Sequence, residues 1–214
     1  MITRTVSWLL LCSVVLLAHE LYAQPVTRTP KAFSDLDPAT RRLLTQPPEM
    51  SWNIDPRTRT HVNQQTKVAF RGTVATFHLQ NAVPAAFDGT ATFTYGGKHG
   101  TVTVLFAPRA VVGCGGGQDC SVPALASQNS RLKRLHGKAD SEQAFRLSGV
   151  GRGRGRGTAF RAVASPRMGG KPAFCEIGAV EIGEFMFAYA AAFKDEAGRM
   201  ELANFLRSFG LKKT

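Results

Sequence analysis

Acidic residues are scarce in this chain: 15 Asp and Glu stand against 27 Lys and Arg in 214 residues, a formal charge of +12. That imbalance excludes cationic partners as the natural choice and bears on solubility, steering and partner sign, but not on fold. Long apolar runs are also missing. The longest lies at residues 6–18 (VSWLLLCSVVLLA), too short for the roughly 18–20 residues a bilayer core requires. Catalytic signatures are absent as well. There is no Gly-x-Ser-x-Gly elbow, no Walker phosphate loop and no His-Glu-x-x-His helix. Ser130-Arg-Leu-Lys133 matches Ser-x-x-Lys, a pattern short enough to arise by chance, and its companion Lys-Thr-Gly is missing.

Cysteine is sparse too, with four in the chain. Cys12 falls in the apolar run, and that run has the layout of a cleaved secretory signal: Arg4 ahead of it, His19 and Glu20 ending it, and Ala23 as the small residue before Gln24. Residues 1–23 are therefore expected to be removed on export, leaving no retained membrane span and a periplasmic or secreted product. An oxidising compartment favours a disulfide. The expected pair is Cys114 with Cys120, whose intervening glycines let a small ring close for about 2 kcal/mol of loop entropy. Cys175 is then a buried free thiol, although its pairing with either loop cysteine is an open alternative. No His neighbours the cysteines and their spacing is not Cys-x-x-Cys, so no metal and no cofactor are expected.

Residues 24–66 hold Pro25, Pro30, Pro38, Pro47, Pro48 and Pro56, which interrupt helices and central strands, so an irregular lead-in is expected with a short helix at 37–44. Residues 67–214 read as a single α+β domain. Val68 and Phe70 alternate with polar neighbours, and Ala75, Phe77 and Leu79 alternate on the other parity, which places a bulge or bend near Gly72. Ala91, Phe93 and Tyr95, followed after Gly96-Gly-Lys-His-Gly100 by Val102, Val104 and Phe106, describe a hairpin. Residues 131–143 could carry a short helix, and further strands are expected at 144–147, 158–164 and 174–182. In 183–209, Phe185, Tyr189, Phe193 and Met200 fall on one helical face. The expected fold is thus an antiparallel β-sheet of about five or six strands with a C-terminal amphipathic helix packed on one face.

The positive charge is concentrated. Eleven bases and two acids lie between Arg131 and Lys171, whereas five bases face six acids from Ala173 onward. Within that segment, residues 149–157 read GVGRGRGRG, so in an extended strand Arg152, Arg154 and Arg156 share one face at about 6–7 Å intervals and the glycines leave the other bare. Each guanidinium offers a donor fork to phosphate, sulfate or carboxylate. Arg131, Lys133 and Arg134 form a second cluster that could extend the surface. The bland alternatives are a flexible Gly-rich tip and a solvated helix face. The expected function is an exported, non-enzymatic protein that binds an anionic surface polymer or an acidic protein partner. A secreted hydrolase or nuclease toxin using His78 or His99 is an alternative, as is an accessory subunit of a cell-envelope assembly docked through the Pro-rich arm.

Overall fold

The computed structural model describes residues 51–84, 89–112, 121–149 and 154–214. The signal segment, the 37–44 helix, Cys114, Cys120 and Arg152 lie outside the described residues.

Three short strands come first: β1 (Trp52–Asp55), β2 (Thr60–Asn63) and β3 (Ala69–Phe70), which pair in the order β1-β2-β3. The later part of the lead-in is therefore sheet rather than irregular. Pro56 does not prevent this, because it stands in the turn after β1, where no ladder donor is needed. The chain then crosses to a second sheet at Gly72, where any side chain would begin 2.5 Å from the Thr58 carbonyl oxygen. This crossing explains the change of parity, since Phe70 and Phe77 belong to different sheets.

The second sheet comprises β4 (Thr73–Val74), β5 (Phe77–Pro84), β6 (Ala91–Gly96), β7 (Gly100–Pro108), β8 (Ala139–Ser148), β9 (Arg154–Ser165), β10 (Lys171–Ile182), β11 (Phe185–Phe193) and β12 (Lys212–Lys213). Their order is β12-β8-β9-β10-β11-β7-β6-β5-β4, with every described pairing antiparallel. Nine strands in this sheet exceed the five or six expected. The β6–β7 hairpin forms with the expected inward set: Ala91, Phe93, Tyr95, Val102, Val104 and Phe106 are all buried.

Helix α1 (Ser121–His136) covers one face, where Leu132 packs with Phe160, Cys175 and Ile177. The opposite face carries the main core. There Trp52 and Phe70 of the small sheet meet Phe93 and Phe106, and Phe205 of α2 (Glu196–Ser208) meets Phe77 and Tyr95 edge-on.

The expectation of a helix across 183–209 is corrected in its first half. Phe185–Phe193 is a strand between β10 and β7, and only Glu196–Ser208 is helical. A strand covered on both faces loses its alternation and reads as a continuous apolar run. Residues four apart also share a strand face as readily as a helix face, so Phe185, Tyr189 and Phe193 satisfied both periods. Gly198 does not divide α2. It lies in the first turn, where a side chain would start 2.6 Å from Phe193 Cβ, and its N–H donates to the Asp195 cap.

Candidate anion-binding edge

The edge of the large sheet formed by β12, β8 and β9 gathers the cations that the Arg/Gly segment foreshadows. Arg146 stands directly opposite Arg156, Ser148 opposite Arg154, and Lys212 opposite Ser148. Thr214 completes the ladder by exchanging backbone hydrogen bonds with Arg146 at 3.0 and 3.1 Å. Directly opposed residues share a face, so Arg146 and Arg156 form an exposed pair, and Lys212, opposite Ser148, lies on the same face one step along the strands. Arg154 holds the adjoining register position on β9.

Opposed β carbons in such a pair lie about 4.5–5.5 Å apart, and like charges there repel. An anion bridging the two guanidiniums turns that repulsion into paired, charge-assisted hydrogen bonds. On the β10 side, Ala179 opposes Arg156 and Glu181 holds the next position on the same face.

The glycines of the repeat do not leave a bare face. A side chain on Gly157 would begin 2.1 Å from the Phe145 ring, and one on Gly155 would begin 2.8 Å from Leu147 and Val180. Both glycines are buried. Their missing side chains allow Phe145 and Leu147 to lie flat over β9, which fixes the arginines' strand in register.

The second expected cluster is divided. Lys133 Nζ sits 2.6 Å from Glu142 Oε2, and Asn129 donates to Oε1 of the same carboxylate at 2.9 Å. The Lys133 hydrogen bond, followed by that of Asn129, holds the Glu142 carboxyl below its ordinary range. Lys133 is thus occupied within the fold. Arg131 is half-buried, and burial followed by the Arg134 charge lowers its guanidinium's pKa, although arginine stays charged at any physiological pH. Arg134 is exposed.

His78, His99 and Cys175 each have their own surroundings in the fold. His78 is exposed, with Nδ1 3.2 Å from Thr73 Oγ1, whereas His99 Nδ1 lies 2.8 Å from Asp195 Oδ2. Asp195 also accepts the Gly198 N–H as the cap of α2, so the His99 contact ties the β6–β7 turn to the start of that helix. Cys175 is free and buried, and burial pushes its thiol up to about 12, which leaves no appreciable thiolate at neutral pH. Among the described residues, no group of three or more His, Cys, Asp and Glu is placed to hold a metal ion, and no helix is long and apolar enough to cross a membrane.

Two other histidines make stability depend on pH. Burial lowers the pKa of His61 and His136 below the ordinary 6.5, and His136 Nδ1 lies 2.8 Å from Ser165 Oγ in the interior. The unfolded chain therefore binds more protons than the folded one as pH falls below that value, and stability drops on acidification. The urea midpoint is expected to be lower at pH 5 than at pH 7.5, with a smaller difference in His136→Gln. A wild-type midpoint that rises on acidification would contradict this assignment.

No protein-family model matches this chain, and no curated protein matches it in sequence.

Proposed function

We propose that this chain is an exported binding protein that holds an anionic surface polymer against the β12–β8–β9 edge, with no bond-making chemistry of its own. The observation that carries this reading is the direct opposition of Arg146 and Arg156, flanked by Lys212 on the next strand. Repeating phosphate, sulfate or carboxylate groups suit such a row because each forked donor grips an anion by two hydrogen bonds. Export follows from the layout of residues 1–23, and an extracellular polymer is the anion such a product meets.

Binding through this edge should weaken steeply with salt, because each phosphate or sulfate contact releases a counterion. With labelled heparin as probe, the double replacement Arg146→Ser/Arg156→Ser is expected to reduce the slope of log affinity against log salt by about 1 per arginine. Affinity at low salt should fall roughly tenfold or more. Unchanged slope and affinity in that variant would refute the proposal.

A further inference from the structure

A concavity lies between β12 and α2. Its volume is about 610 Å³, within the range of about 300–1,000 Å³ common to small-molecule sites. Glu176 forms its floor, and both carboxylate oxygens are engaged: the Tyr189 hydroxyl donates to Oε1 at 2.8 Å and Lys213 Nζ to Oε2 at 3.0 Å. Lys213 Nζ also rests 4.0 Å from the centre of the Phe145 ring. Floor charges thus cancel within the fold.

The walls are apolar. Met200, Ala203 and Leu206 follow one another at three-residue steps along α2, and Leu211 closes the end. Met200 is 70% exposed, unusual for so large an apolar side chain, and its unbranched thioether adapts readily to a guest. At the rim, Glu196 is matched by Arg199 at 3.0 Å, whereas Arg207 bonds only the neutral Asn204 amide and Lys212 has no ion pair among the described residues. Both acids lining the groove are neutralised by lysine or arginine. Two cations remain.

We propose that this groove binds an anionic amphiphile, a single acyl chain lying along Met200, Ala203 and Leu206 with its carboxylate, sulfate or phosphate head at Arg207. The apolar wall takes the chain through burial, and the uncompensated rim charge selects an anionic head over a neutral one. Arg146 and Arg156 lie on the other face of β8 and β9, away from this groove, and Lys212 borders both sites.

Calorimetric titration of the full chain with dodecanoate, kept below its micelle concentration, tests the proposal against the uncharged ester monododecanoyl glycerol. One saturable site is expected for dodecanoate, with the ester roughly tenfold weaker and Arg207→Gln costing a similar factor, the scale of one charge-assisted hydrogen bond. Ala203→Trp fills the groove from an exposed position and should weaken binding by at least about tenfold. Met200→Glu, also at an exposed position, serves if the tryptophan variant does not fold. Arg146→Ser/Arg156→Ser should bind dodecanoate as wild type does, which separates this site from the polymer edge. Equal affinity for acid and ester, undiminished binding by folded Ala203→Trp or Met200→Glu, or loss of binding in the arginine variant would overturn the proposal. So would a wild-type chain that dimerises through this face and takes up no dodecanoate.

Discussion

Phe70→Ala is expected to destabilise the fold by about 3–5 kcal/mol, a large share of the roughly 5–15 kcal/mol that holds a typical domain together. Phe70 is fully buried and stacks on Phe93 with ring centres 4.0 Å apart. Around it Trp52, Phe106, Phe187 and Phe209 lie at 5.3 to 6.1 Å. Its own strand has two residues, so the ring rather than the ladder joins the small sheet to the core. Chemical denaturation measures the cost, and hydrogen exchange at Trp52–Asp55 and Thr60–Asn63 reports whether the small sheet loosens first. A loss below about 1 kcal/mol would mean that the site collapses around the vacancy and that the ring is not the anchor argued here.

Gly157→Val should be nearly as damaging, about 3 kcal/mol, the upper end for overpacking. The added Cβ meets the Phe145 ring and also the Ile177 carbonyl oxygen at 2.6 Å, and the backbone of a central strand cannot step aside as a side chain can. Next to it, Arg156→Ser changes only an exposed side chain and should stay within about 0.5 kcal/mol. That contrast between adjacent residues distinguishes an ordered strand from a loose glycine-rich tip. Equal tolerance at both positions would point to the tip.

The β6–β7 hairpin was readable because one face is core and the other holds threonines, which preserves the two-residue period. β11 was not readable by the same means. Burial on both faces erased the period, and its phenylalanines and tyrosine, which favour strands, were the better guide than their spacing. The strand count fell short because β11 read as helix and because β4 and β12 have two residues each, too few to show any pattern.

At the candidate site, alternation alone placed Arg154 and Arg156 on a common parity. Arg146 and Lys212 join them only through strand register, a long-range property with no local signature. The withdrawal of Lys133 by Glu142 is likewise a tertiary event: the two residues are nine apart, on a helix and the following strand.

The two-residue strands at either end of the large sheet also bear on how the molecule behaves at high concentration. Unsatisfied ladder groups at a sheet border invite a neighbouring chain to add on, and the length of that border limits how firmly it can. β12 covers part of β8, whose ten residues would otherwise offer a long template, and it places the charge of Lys212 at that border, while Lys213 turns in to Glu176. Lys212–Thr214 thus shorten the open border that β8 would present to strand addition, and removing them would lengthen it.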